Sequence, residues 1–359
     1  MRIGKMKYYL KEEFLHNNNA KNAGNKARND VESILTDLGY VPLKVFVNDW
    51  YQMSLLGAQI HKYRALNKSF GFLNKDDEIV IQFPLIHHSL FFSHLLKIVR
   101  KRGVKIHFLI HDLETLRFVN DEATPFRIKL RMKLTEGDVF NLVDGIIAHN
   151  SIMRSVLIDK GIDEKKIVSL DIFDYLISDF QEKNGLTKEQ PVIIAGNLAQ
   201  EKAGYLYSLP DEPNYNLYGV GFDETRALSN ETYFGSFLPE ELPAALEGGF
   251  GLVWDGDSAK TCSGVFGEYL RYNNSHKASL YLASGFPLVV WSESALSHFI
   301  LDNGCGIAVS SLYDLKYVID NLSNADYQSM KDNVKRVGKN IRTGFYLKTA
   351  LEKLNKLSS

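Results

Sequence analysis

The sequence predicts an α/β protein built from two doubly wound, Rossmann-like domains that face each other across a cleft. Three observations lead there. Short apolar runs alternate with helical patterns along the chain, the mark of parallel βαβ units with helices on both faces of a sheet. A polar, glycine-containing stretch, SDFQEKNGLTKEQ at 178–190, divides that alternation in two. The length, 359 residues, exceeds what one hydrophobic core usually supports.

In the first half MKYYL (6–10), PLKVFV (42–47), EIVIQF (78–83), KIHFLI (105–110), GIIAH (145–149) and KIVSL (166–170) read as buried strands. Helical patterns fall at Ala27–Leu38, Ser89–Lys101 and Pro125–Leu142. Asn48 or Asp49 suits the cap of the second helix, and Asn150 or Ser151 that of the helix after GIIAH. In the second half PVIIAG (191–196), YNLYGVG (215–221), GFGLVW (249–254), PLVVW (287–291) and GIAV (306–309) repeat the strand pattern. Helices are expected at Pro239–Leu246, Ser275–Ala283, Glu293–Leu301, Leu312–Leu322 and Asp326–Asn340. A last helix, Tyr346–Leu357, follows a break near Thr343 and Gly344. The expected division is an N-terminal domain over 1–180, a C-terminal domain over 191–342, and a helix over 343–359 that packs back on the N-terminal domain. Ligands of such sheets bind outside the carboxyl ends of the strands, here in the cleft.

Composition narrows the function. Hydrophobic residues make up 45% and charged ones 24%, as in ordinary globular proteins. Forty-two basic against 43 acidic residues leave a net charge of -1, so no global field draws nucleic acid and any phosphate binding is local. Cys262 and Cys305 have no metal-ligand spacing and point to a reducing compartment. The basic N-terminus lacks a signal peptide's apolar run, and no stretch reaches the roughly 18–20 apolar residues of a membrane span. A cytoplasmic protein is expected, with aromatic content of 12% leaving room for peripheral membrane contact.

Four segments can carry chemistry. In NNSHKASLYLASGFPLVV (273–290) a polar turn, Asn274, Ser275, His276 and Lys277, opens a helix. A helix start offers unpaired N–H groups and positive potential, and Lys277 adds a full charge, which together suit a diphosphate. The ordinary alternative is that Asn and Ser cap most helices. In IIAGN (193–197) a strand ends on Gly196 and Asn197, where glycine lets a ligand approach the backbone. Asn197 and Lys202 can reach phosphate or ribose there, or the segment is a plain strand-to-helix turn. FLIHDLE (108–114) puts His111 and Asp112 just past a strand, where either can take the proton of an attacking hydroxyl, or Asp112 can cap the next helix. NNNAKNAGNKARND (17–30) reads as a cleft-facing loop; Asn22, Gly24 and Lys26 suit sugar hydroxyls, unless the loop is only surface. His87, beside His88, reads as an acceptor-pocket or structural group, because no third metal ligand follows at a sensible spacing. WDGDS (254–258) holds an Asp-x-Asp pair, Asp255 and Asp257, for which a solvent-facing or sugar-hydroxyl role is favoured over metal. There is no GxGxxG, P-loop, Gly-x-Ser-x-Gly elbow or Cys/His nucleophile pair.

GGFGLVWDGDS, NSHKASLYLASGFPLVVW and ILDNGCGIAV, with NAGNKARNDVESIL and FLIHDLETLRF, resemble two-domain bacterial glycosyltransferases of the GT-B type. The group is that of β-1,6-galactofuranosyltransferases of polysaccharide loci and the glucosyltransferase that extends O-linked GlcNAc on serine-rich-repeat adhesins. The resemblance covers most of the chain. It implies transfer of glucose or galactofuranose from a UDP-sugar, with inversion and without a metal or other cofactor, to a lipid-linked, polysaccharide or glycoprotein acceptor. It implies Lys277 at the diphosphate, Gly196 and Asn197 beside the nucleotide, and Tyr218 near the uracil. It further implies a homodimer or homotetramer. The adhesin-type relative follows its Gly-Asn with an arginine; here NLAQEKA offers Lys202. The rival reading is a non-catalytic GT-B-like subunit that binds glycan or stabilises a transferase. An epimerase lacks its NAD fingerprint here, and a phosphorylase would be much longer.

Overall fold

The computed structural model describes residues 4–14, 23–47, 54–86, 89–119 and 124–357. Elements alternate as the sequence predicts. The first run is β1 (Lys7–Phe14), α1 (Ala23–Asp37), β2 (Val41–Val47), α2 (Leu55–Phe70), β3 (Glu78–Phe83), α3 (Phe92–Lys101), β4 (Lys105–Ile110), α4 (Glu114–Arg117), α5 (Phe126–Glu136), β5 (Gly145–Ala148), α6 (Ser151–Asp159) and β6 (Ile167–Ser169). The second is β7 (Val192–Asn197), α7 (Gln200–Ala203), β8 (Tyr215–Val220), β9 (Glu231–Tyr233), α8 (Leu242–Ala245), β10 (Phe250–Val253), α9 (Gly264–Tyr269), α10 (His276–Ala283), β11 (Leu288–Trp291), α11 (Ala295–Asp302), β12 (Gly306–Val309), α12 (Leu315–Asn321), α13 (Asn324–Arg342) and α14 (Phe345–Leu357).

Among the described residues the strands form two six-stranded sheets, ordered β2-β1-β3-β4-β5-β6 and β12-β11-β10-β7-β8-β9. Every pairing is parallel. Parallel sheets are covered on both faces, so their strands read as unbroken apolar runs. In the second sheet alternate residues feed opposite cores. Ile194, Leu217, Leu252 and Val289 join one cluster with Trp254 and Trp291. Ile193, Ala195, Val253 and Val290 join the other with Tyr281 and Phe286. In the first sheet, Phe83 stacks on Phe108 with centroids 4.8 Å apart, and Phe140 meets Phe83 edge-on at 5.2 Å.

Several boundaries differ from the sequence reading. The helix expected from Ala27 starts at Ala23, so Gly24 and Lys26 belong to α1 and not to a loop. Ser54 caps α2, its side chain accepting from the Gly57 N–H; Asn48 and Asp49 lie outside the described residues. Asn150 does cap α6, through Met153 N–H. The helix expected through Leu142 ends at Glu136, and Asp138–Leu142 continues as a 3-10 turn.

The chain divides into two compact units. One comprises the described residues of 1–20, 31–170 and 348–359, the other those of 21–30 and 171–347. The polar stretch at 178–190 therefore lies inside the second unit. Its lysines explain why. Lys188 Nζ donates to the carbonyls of Ile319, Asp320 and Leu322 at the end of α12, and Lys183 Nζ to those of Ala244 and Leu246. Unpaired carbonyls at a helix end attract cations, so a segment polar in composition is fastened down.

Candidate active site

A doubly wound sheet opens a crevice where its strand order reverses. In the second sheet that point lies between β7 and β10, and two of the predicted donor-site residues, Gly196 and Lys277, meet there. Gly196, near the end of β7, has φ +123°, a conformation that favours glycine. A side chain there would meet the stem of Lys277, whose Cδ lies 3.7 Å from an ideal Cβ. Lys277 comes from the first turn of α10. Its Nζ donates to the Trp254 carbonyl at 2.9 Å and to Asp255 Oδ1 at 2.8 Å. An ammonium has three N–H bonds, so one donor remains for a ligand.

Tyr281 holds α10 in place. Its hydroxyl accepts the Ala195 N–H at 2.7 Å, while its ring lies on β10 over Gly251, where a Cβ would sit 2.3 Å from Tyr281 Cγ. The helix is thus fixed to both strands that flank the crevice. Ser275 caps α10 without a side-chain hydrogen bond, which leaves first-turn N–H groups for an anion, as at other helix starts. Asn274 is buried, and its Nδ2 donates to the Asp171 carbonyl at 2.7 Å, so it fixes the turn from below. The His276 ring packs against Tyr175, with centroids 5.2 Å apart. Burial, with the nearby Lys26 charge, lowers its pKa to about 4 against the pull of the Asp174 carbonyl, so it is neutral at pH 7.

The Asp-x-Asp pair separates. Asp255 is buried and serves Lys277, whereas Asp257 is exposed and accepts from Ser263 Oγ at 2.6 Å. The expectation of a solvent-facing or sugar-hydroxyl role thus fits the position of Asp257 and not that of Asp255. Among the described residues no three His, Cys, Asp or Glu side chains are grouped to hold a metal.

Other predicted residues go elsewhere. The Asn197 side chain accepts the Ala199 N–H at 2.9 Å and shapes the turn into α7. Lys202 Nζ lies over the Phe266 ring, 5.5 Å from its centroid. Lys202 is the cation nearby in sequence, but Arg226 reaches the same helix from after β8, donating to Gln200 at 2.9 Å and covering Tyr207 at 3.8 Å. Tyr218 is wholly buried: its ring stacks on Phe234 at 4.8 Å and its hydroxyl accepts the Glu247 N–H at 3.1 Å. It offers no face to a base, and the aromatic position near the uracil is corrected to a core position. Lys26 is buried too, bonded to Asp30 at 2.5 Å and to the Leu176 carbonyl at 2.8 Å, and it covers the Tyr175 ring. Its charge is committed within the second unit and not displayed on a loop. Asn22 and His87 lie outside the described residues.

In the first unit His111 and Asp112 do follow β4. His111 Nε2 bonds Gln82 Oε1 at 2.7 Å, linking the ends of β3 and β4. Asp112 pairs with Arg117 of α4, and its Oδ1 is buried with no hydrogen-bond partner among the described residues. The sequence reading missed His149, which ends GIIAH. It is buried beneath this strand end, where burial lowers its pKa to about 4 while the backbone of Ile110 and His111 pulls the other way. Glu12 was missed as well. At the switch point of the first sheet its Oε2 accepts the Ile86 N–H at 2.8 Å, and Oε1 lies 3.8 Å from the buried Lys62. Only spacing to distant segments would have marked either residue.

Two Rossmann-like units, each built on an all-parallel six-stranded sheet, have the fold of the GT-B glycosyltransferases. The solved structure of Anabaena HepE in complex with UDP-glucose shares the fold, with a TM-score of 0.54 at 10% identity, over 99% of this chain and 100% of that one. The chain belongs to the glucosyltransferase 3-like family: the family's N-terminal domain matches residues 7–172 and its C-terminal domain residues 192–354. It is 34% identical to the β-1,6-galactofuranosyltransferase WbbI of Escherichia coli K12, over 93% of this chain and 94% of that protein. It is 25% identical to glucosyltransferase 3 of Streptococcus gordonii, over 90% and 92%.

Proposed function

We propose that the chain transfers a hexose, glucose or galactofuranose, from a UDP-sugar to a glycan acceptor, with inversion and without a metal. The observation that carries this is Lys277, held by Asp255 over Gly196 at the switch point of the second sheet. Departure of UDP leaves charge on the diphosphate. A preorganised ammonium beside free helix N–H groups stabilises that charge without reorganising at the moment of reaction. It supplies the countercharge a metal would otherwise provide. The family's two named relatives, one a galactofuranosyltransferase and one a glucosyltransferase, support a hexose donor. The UDP-glucose in the HepE structure supports the nucleotide.

In this mechanism the acceptor hydroxyl attacks the anomeric carbon and the bond to the diphosphate oxygen breaks. The general base is assigned to Asp112 or His111, which follow β4. The acceptor is a growing surface polysaccharide or a glycosylated adhesin. The test is transfer from labelled UDP-glucose and UDP-galactofuranose, with and without EDTA, followed by NMR of the product linkage. An anomeric configuration opposite to the donor's, formed equally in EDTA, is expected. Retention, or activity that needs a divalent ion, would overturn the mechanism.

A further inference from the structure

The helix α5 (Phe126–Glu136) has a pattern that its own unit does not use. Its sequence, FRIKLRMKLTE, alternates apolar and basic residues. That alternation suits a strand, yet the segment is helical, so both kinds of residue reach the outer surface. Met132 is buried, but Phe126 is 76% exposed and Leu130, one turn on, 45%. Arg127 and Lys129 beside them are exposed as well.

The helix's single acid does not offset those cations. Glu136 is buried, and its two oxygens accept the N–H groups of Glu114 and Thr115 at 2.8 and 2.9 Å. Arg131 is likewise committed, bonded to both oxygens of Glu114 at 2.9 Å. These contacts fasten the inner side of α5 to α4, which follows His111 and Asp112. Among the described residues neither Arg127 nor Lys129 has an acidic partner, so the outer side keeps two apolar anchors beside two cations.

We infer that α5 docks on an anionic lipid bilayer, with Phe126 and Leu130 entering the headgroup boundary and Arg127 and Lys129 meeting lipid phosphates. A positive surface with apolar anchors complements the negative potential of such a leaflet, and basic side chains extend to the headgroups while their stems stay among apolar groups. Neither element suffices alone, because stable attachment takes two signals. The inference adds to the proposed function a lipid-linked glycan as the acceptor, and rests on that reading for this point alone.

The test is vesicle flotation of the full chain at low salt, with phosphatidylcholine vesicles and with vesicles containing phosphatidylglycerol. Binding to the anionic vesicles, reversed by high salt, is expected. Arg127→Ala with Lys129→Ala should lower partitioning about thirtyfold, roughly fivefold per cation. Phe126→Ser with Leu130→Ser should lower it at least about tenfold. Both variants change exposed residues, so melting temperature and turnover with a soluble acceptor should stay as in the parent. Equal binding to neutral vesicles, unchanged binding by the variants, or an oligomer that the Phe126→Ser and Leu130→Ser pair dissociates would each overturn the inference. Stabilisation by UDP, measured on the same samples, reports separately on the donor site; its loss would strike the transferase reading and leave the flotation result standing.

Discussion

Removal of the Lys277 charge should harm both the fold and the reaction, and the two effects can be separated. Lys277 and Asp255 pair at 2.8 Å with side chains 16% and 8% exposed. Breaking a buried pair from one side costs about 3–5 kcal/mol, because the remaining charge is stranded. The slight exposure places Lys277→Met near the lower end, about 3 kcal/mol, or about 6–12 °C in the melting of a unit this size. Methionine preserves a stem over Gly196, so little of the loss comes from packing. Adding Asp255→Asn removes the stranded charge and should restore about 2 kcal/mol, the coupling of contacting residues. Turnover should not return: both variants lack the ammonium and should remain about 10²–10³-fold slow, the usual cost of one transition-state donor. The assay is calorimetry of the parent, both single variants and the double, beside kcat/KM for each. Parent-like melting of Lys277→Met would refute the buried pair, and parent-like transfer by the double variant would refute the role at the leaving group.

Three further outcomes follow from the same geometry. At Gly219 (φ +151°) a Cβ would lie 1.8 Å from the Gly196 carbonyl oxygen, so Gly219→Ala should prevent accumulation of folded protein, whereas Gly196→Ala, whose Cβ would make only ordinary contact with the Lys277 stem at 3.7 Å but at φ +123°, should cost about 1–2 kcal/mol by denaturant melting. His149 has its pKa lowered to about 4 by burial, so the unfolded chain binds the proton more readily; stability should be full above about pH 6.5, fall by about 3 kcal/mol as pH drops to 4, and slope less in His149→Gln. Tyr218→Phe should cost about 1 kcal/mol, from the lost bond to Glu247, and leave KM for the donor unchanged, since a raised KM would put the ring at the nucleotide.

Local signals carried much of this in the sequence. Gly196 is a strand end and Lys277 a helix start, and each is marked by its immediate neighbours. The parallel sheets were legible because fully buried strands such as EIVIQF are apolar almost without interruption. What failed depended on partners far along the chain. The role of Asp255 rests on a lysine 22 residues later. The lysines of 178–190 look like linker until the end of α12, 131 to 134 residues on, supplies the carbonyls they bind. Tyr218 lies on β8, but which face of a strand is core and which meets ligand is not written in a sheet covered on both sides. The strand β9 has three residues, too few for periodicity to show.

The most direct measurement is the binding of UDP to the purified chain in EDTA, by calorimetric titration and by melting. UDP at about a hundredfold over its Kd should stabilise the protein by about 2.7 kcal/mol. GDP and dTDP should bind more weakly, and the Lys277→Met, Asp255→Asn double variant should lose most of the response while remaining folded. Binding of UDP that vanishes in EDTA, or that survives intact in the double variant, would contradict a metal-free diphosphate site at Lys277.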